Sequence, residues 1–222
     1  MKLLLVDGFY YAYRSFHSIP PFKDSKGEPV GAVFGFLKSL RKMLRDVEPT
    51  RAAVVWDEGL PERRTTLQPE YKAQRAEMPE DLSKQLDRMR QLIGLLGFQN
   101  VSLPGTEADD LMASYGIQAR AKGWEVLLAT VDKDLYQVVE EGLTIYVPTK
   151  ATEGGPGFEL RADAYVQEKW GVAPNQLRDV LALVGDASDN IPGVDGVGPK
   201  GAASLVQQLS LIHISEPTRP ER

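Results

Sequence analysis

Cysteine is absent from the 222 residues, and histidine occurs only at His17 and His213. The first absence excludes disulfides, thiolate catalysis and metal centres built on sulfur. The second leaves almost nothing for imidazole ligation or for Ser/His nucleophilic chemistry. No apolar run approaches the length of a membrane span. The first run, residues 2–6, ends in Asp7 after five residues and lacks the layout of a signal peptide. These absences set the expectation of a cytoplasmic protein with no membrane partner. There is no GxxxxGK[ST] phosphate loop and no GxSxG elbow, which argues against an NTPase and an α/β-hydrolase. A phosphatase with an aspartyl nucleophile on its first strand usually carries a second aspartate two residues later, where Phe9 stands here. Internal repeats and coiled-coil heptads are also missing.

What is present is ordinary in bulk and unusual in its acids. Hydrophobic residues at 42% and charged residues at 26% suit one or two globular domains with a proper core. Three carboxylates fall within the four residues Glu107-Ala108-Asp109-Asp110. By itself that stretch fits a helix N-terminus, where the macrodipole favours acids. Acids recur, however, at the ends of apolar runs: Asp7 after 2–6, Asp57 after 52–56, Asp132 and Asp134 after 126–131. Asp186 and Asp189 punctuate a glycine-rich turn. Nine carboxylates drawn from five places point to a metal site. The net charge of −5 argues against a polyanionic partner. Setting the nine acids aside leaves 22 acids against 26 bases, so the remaining surface is mildly basic and admits one.

The hydrophobic pattern predicts strands over 2–7, 52–57, 126–131 and 144–147. It predicts amphipathic helices over 32–47 and 82–96, and helices over 108–121, 135–139, 162–170 and 176–184. On the 32–47 helix, Val33, Leu37, Leu40, Leu44 and Val47 make the apolar face. Lys38, Arg41, Lys42 and Arg45 make a basic face that a solvated surface also explains. Residues 9–16 are aromatic-rich with Arg14 among the rings, while 18–29 and 152–157 read as loops. Alternating strands and helices predict an α/β fold with a mainly parallel central sheet and helices on both faces. Sites in such sheets form at the carboxyl ends of the strands, which is where Asp7, Asp57 and Asp132 fall.

All-oxygen ligands select hard cations, Mg²⁺ or Mn²⁺, and this many acids favour two ions over one. Two such ions suit phosphodiester hydrolysis. Residues 58–79 form a long polar stretch holding Arg63, Arg64, Tyr71, Lys72 and Arg75. Bases around an aromatic suit contact with phosphates and an unstacked nucleobase, and disorder explains the same composition. In Gly193-Val-Asp-Gly-Val-Gly-Pro-Lys-Gly201, the glycines Gly193, Gly196 and Gly198 with Lys200 fit a phosphate-binding hairpin, blind to base sequence. An ordinary helix–helix connection is the other reading.

Four stretches carry a resemblance in register from Met1 to about Gln208: LLLVDGFYYAYRSF, ERRTTLQPEYKAQR, TEADDLMA with TVDKDLYQVV, and VGDASDNIPGVDGVGPKGAASL. They resemble the bacterial 5′-nuclease family, the N-terminal domain of DNA polymerase I and its stand-alone 5′-3′ exonuclease and flap-endonuclease relatives. The resemblance implies hydrolysis of DNA at a 5′ end or 5′ flap, in replication and repair, by a PIN-like core with two divalent ions. It places Asp7, Asp57, Glu107 and Asp109 at one ion and Asp110, Asp132, Asp134, Asp186 and Asp189 at the other. It makes 58–80 a helical arch around the single strand. Arg14, Arg63, Arg64, Tyr71, Lys72 and Arg75 become candidate DNA contacts, with Gly193, Gly196, Gly198 and Lys200 in a helix–hairpin–helix. That motif often binds K⁺ through carbonyls, here around Val194 and Val197. Val131 departs from the glycine usual before Asp-Lys-Asp.

The resulting expectation is a core over 1–160, a helix–hairpin–helix region over 161–208, and a monomer acting on DNA with no small-molecule substrate. Residues 209–222, LSLIHISEPTRPER, continue neither the expected 202–208 helix nor the family pattern, and resemble a translated sequencing adapter. A DNA-structure-binding module without turnover and a related metal-dependent ribonuclease are the alternative functions. All nine family acids are present, which argues against the first. The hairpin and arch segments argue against the second.

Overall fold

The computed structural model describes residues 1–149 and 157–212. Six strands form one sheet in the order β3-β2-β1-β4-β5-β6. They are β1 (Lys2–Asp7), β2 (Arg51–Val55), β3 (Gln99–Val101), β4 (Glu125–Ala129), β5 (Leu143–Pro148) and β6 (Phe158–Arg161). The first five are parallel and β6 runs antiparallel to β5. The sheet is therefore mainly parallel, as the alternation of elements predicts, with an antiparallel edge. β3 and β6 were absent from the predicted strands. With three and four residues and no burial alternation of their own, they exist only as ladder partners of β2 and β5.

Strand periodicity divides the core between the two faces. Leu4 and Val6 of β1, with Leu127 and Ala129 of β4, pack under α1 (Gly8–Ser18), α2 (Gly31–Val47) and α4 (Glu80–Leu95). Their neighbours Leu5, Val126 and Leu128 pack on the opposite face against α5 (Ala108–Ala121), α6 (Asp163–Trp170), α7 (Pro174–Val184) and α8 (Pro199–Ile212). On α2 the fully buried face is Val33, Phe36, Leu40, Met43 and Val47, while Leu37 and Leu44 are half-buried. The predicted stripe was thus rotated by about one position. Gly8 has a packing reason: a Cβ there would lie 2.4 Å from the Trp56 ring, so only glycine lets α1 start beside that indole.

The strand order reverses direction at β1, with β2 and β3 on one side and β4 to β6 on the other. Such a switch point opens a crevice at the carboxyl ends of the strands. Two sequence expectations are corrected there. β2 stops at Val55 and β4 at Ala129, so Asp57 and Asp132 sit on the loops beyond those strands. Residues 58–79 are also not one long loop. They contain α3 (Glu62–Leu67) followed by turns. At the far end, α8 runs to Ile212, past the expected 202–208 helix, because Leu209 to Ile212 still lack a breaker. The predicted 152–157 loop, apart from Gly157, and residues 213–222 lie outside the described residues.

Candidate metal centre

Asp7 ends β1 and caps α1, its Oδ1 accepting from the Tyr10 amide at 2.9 Å. Its Oδ2 accepts from the Thr130 hydroxyl at 3.1 Å, and that hydroxyl accepts from the Asp132 amide at 3.1 Å. Thr130 therefore joins the ends of β1 and β4. Burial pushes the Asp7 carboxyl up to about 6, helped by the nearby Asp57 and Asp132 charges. Asp57 Oδ1 accepts from the Ala108 amide at 3.1 Å and so holds the first turn of α5 against the end of β2.

The acidic stretch opens α5. Glu107 is 2% exposed and accepts from Arg64, Lys72 and the Tyr71 hydroxyl, the last at 2.8 Å. Burial opposes its charge, but these donors outweigh it and hold its pKa below the usual carboxylate range. Asp109 has the opposite fate. Burial, then the Asp110 and Glu107 charges, push its carboxyl up to about 7, and no cation among the described residues pairs with it. Asp110 pairs with Arg64 at 2.8 Å. Glu107, Asp109 and Asp110 offer oxygens that all lie within 4.8 Å of one another.

The remaining acids close the ring. Asp134 donates its amide to Asp132 Oδ1 at 2.8 Å. Burial and then the Asp132 charge raise it to about 6, Asp186 and Asp189 adding to this while Lys133 partly offsets it. Asp186 pairs with Lys133 at 2.9 Å and accepts the Ser188 hydroxyl at 2.6 Å. These contacts overcome its burial and lower its pKa. Asp189 pairs with Arg75 at 2.6 Å. The loop bearing Asp186 and Asp189 closes by a two-residue bridge between Asp186 and Ile191. Gly185, at φ +73°, and Gly193 meet back to back there. A Cβ on Gly193 would lie 2.2 Å from the Val184 carbonyl, so the chain's own backbone demands that glycine.

All nine acids thus converge on one sheet edge, and Arg64, Tyr71, Lys72 and Arg75 lie over them. The 5′-3′ exonuclease N-terminal resolvase-like domain matches residues 2–171, and the 5′-3′ exonuclease C-terminal SAM fold matches residues 172–215. The chain belongs to the 5′-3′ exonuclease family. The second match reaches beyond Gln208, where the sequence resemblance was expected to stop. The chain is 42% identical over 207 residues, 93% of its length, to the thermostable DNA polymerase I of Thermus aquaticus. It is 43% identical over 210 residues, 95% of its length, to DNA polymerase I of Deinococcus radiodurans. It spans 24% and 21% of those two relatives, about a quarter of their length. Among solved structures it is similar to the zinc-bound T5 5′-exonuclease, with a TM-score of 0.75, 21% identity, and coverage of 99% of this chain and 82% of that one. The catalytic core of Rad2 with DNA substrate gives a TM-score of 0.58 at 19% identity, covering 94% and 62%. At these identities the structures speak for the fold.

This 5′-3′ exonuclease family chain has a donor set suited to a divalent cation. The site is lined by carboxylates, three of them already clustered, and of those three Asp109 has no ion-pair partner among the described residues. The candidate bases divide differently from expectation. Tyr71 is 6% exposed, with the Arg64 and Lys72 cations 5.9 and 4.9 Å from its ring centroid, so in this arrangement it has no free face for a nucleobase. Arg63 points to solvent. Arg14 lies apart from the acids, in a groove of about 460 Å³ between α1 and α2 shared with Lys38, Arg41, Lys42 and Arg45. Gly196, at φ +76°, and Gly198 are exposed on the α7–α8 connection, and Lys200 is exposed in the first turn of α8. Thr130, Lys133, Gln68 and Asn190 shape the site and were not singled out from sequence. For Lys133 the position between Asp132 and Asp134 was a usable signal. The other three carried none.

Proposed function

We propose that this chain hydrolyses DNA phosphodiesters at 5′ ends or 5′ flaps, in replication and repair, with two divalent ions, Mg²⁺ or Mn²⁺. The observation that carries this reading is the meeting of nine carboxylates at one sheet edge beneath a cationic segment. Asp7, Asp57, Glu107 and Asp109 would hold one ion, and Asp110, Asp132, Asp134, Asp186 and Asp189 the other. When bound, such a pair supplies a hydroxide at neutral pH and offsets charge on the attacking and leaving oxygens. Arg64, Lys72 and Arg75 already pair with site carboxylates, so a phosphate entering beside them meets donors that need little rearrangement. Thr130 keeps Asp7 and Asp132 in fixed relation.

Arg63 and Arg14 would contact phosphates farther along the strand. The region over 161–208 would hold the duplex by its backbone through Gly196, Gly198 and Lys200, with a K⁺ on carbonyls around Val194 and Val197. The test is cleavage of a 5′-flap substrate beside a blunt duplex and a single-stranded RNA, with Mg²⁺ and with a chelator. Cleavage confined to the DNA substrates and to the Mg²⁺ arm is expected. Cleavage of the RNA alone, or cleavage that survives the chelator, overturns the reading.

A further inference from the structure

The segment that lays its cations over the acids is itself held down by a set of bonds that involve no charge. The Lys72 amide donates to the Asp189 carbonyl at 3.1 Å, and the Gln68 side-chain amide donates to the Asn190 carbonyl at 3.3 Å. The Asn190 side-chain amide donates to the Glu70 carbonyl at 3.0 Å, and that of Gln74 donates to the Ala187 carbonyl. All four bonds run between residues 68–74 and residues 187–190. Two of the three non-glycine residues with positive φ among the described residues meet in this contact, Lys72 at +56° and Asn190 at +59°. Asparagine accepts the left-handed conformation more readily than most residues, whereas lysine adopts it only where its surroundings enforce it. The enforced turn is what aims the Tyr71 hydroxyl and the Lys72 ammonium at Glu107 and Arg75 at Asp189.

We propose that Asn190 and Gln68 are positioning residues, forming a latch that docks the 62–75 segment on the Asp186–Ile191 loop and thereby sets Lys72 and Tyr71 at the carboxylates. The latch acts through main-chain geometry, so neither residue touches the reacting phosphate. Its kinetic consequence rests on the nuclease reading above, while the latch itself can be measured without any cleavage.

The experiment uses the full chain as wild type, Gln68→Ala, Asn190→Gly, Asn190→Ala and the Gln68→Ala/Asn190→Gly double variant. Asn190→Gly removes only the amide, because glycine keeps the left-handed backbone, and Gln68→Ala guards against a folding defect at Asn190. Amide exchange across residues 68–75 is expected to accelerate in each variant, by about tenfold, with β1 and β4 unchanged. Single-turnover cleavage at saturating flap DNA is expected to fall by about 10- to 100-fold, with flap affinity in Ca²⁺ held within about twofold. The two single substitutions should combine less than additively. Unchanged exchange over 68–75 overturns the latch. Faster exchange with an unchanged single-turnover rate, or a loss confined to affinity, overturns the positioning role. A wild-type chain that cleaves nothing refutes the nuclease reading and, with it, the positioning role, and leaves the exchange data to decide the latch.

Discussion

The Thr130 hydroxyl donates to Asp7 across 3.1 Å although 123 residues separate them. The same oxygen accepts the Asp132 amide, so a single side chain sets the spacing between the carboxylates that end β1 and follow β4. Thr130→Val keeps the shape and removes both bonds. We expect a stability loss of about 1–3 kcal/mol, mostly from the Asp132 amide left without a partner. Cleavage should fall by about 10- to 100-fold through misplaced carboxylates. Thermal melts and single-turnover rates check this, and a rate within twofold of wild type denies Thr130 that role.

Asp109 is the acid with the least compensation. Asp109→Asn removes one of three crowded charges, so the metal-free chain should gain about 0.5–2 kcal/mol while metal-dependent cleavage is abolished. Flap binding in the absence of metal should stay near wild type, since no phosphate contact is removed. Retained turnover in Asp109→Asn would remove it from the ligand set.

A pH dependence follows from the three raised carboxyls. Burial, with neighbouring carboxylate charge, pushes Asp7 and Asp134 up to about 6 and Asp109 up to about 7, well above the ordinary aspartate value. The folded chain therefore binds more protons than the unfolded chain between roughly pH 4 and 7, and folding is disfavoured as pH rises through that window. Glu107 and Asp186 shift the other way, and their stabilisation is complete above the ordinary carboxylate range. With a chelator present, Tm should fall between pH 5 and 7.5. Saturating Mg²⁺ should flatten or reverse that slope by favouring the ionised acids. Superimposable slopes with and without Mg²⁺ contradict the site.

Neighbouring arginines of α3 should behave differently. Arg63 is exposed, so Arg63→Ala should leave stability within about 0.5 kcal/mol and reduce the salt slope of DNA binding by about one. Arg64→Ala strips a partner from the buried Glu107 and from Asp110, and should cost about 1–3 kcal/mol along with much of the cleavage rate. Equal effects of the two substitutions on melting temperature would show that Arg64 is not engaged as described.

The sequence by itself determined the strand cores and, through them, that Asp7, Asp57 and Asp132 fall at or just beyond the carboxyl ends of β1, β2 and β4. Continuous apolar runs such as 2–6 and 126–129 bury on both faces of a parallel sheet wherever they occur, and that information is local. Tertiary structure alone decided β3 and β6, which are too short to have a period and form only against β2 and β5. It also decided where the bases of 58–79 go. Composition left DNA contact and disorder both open for Tyr71 and Lys72, and the family resemblance made them candidate DNA contacts. In the fold they face Glu107, because main-chain bonds to residues 187–190, more than 110 positions away, set the turn that carries them. Such pairings depend on two loops meeting after the sheet has formed, and no periodicity or composition in either loop encodes the meeting.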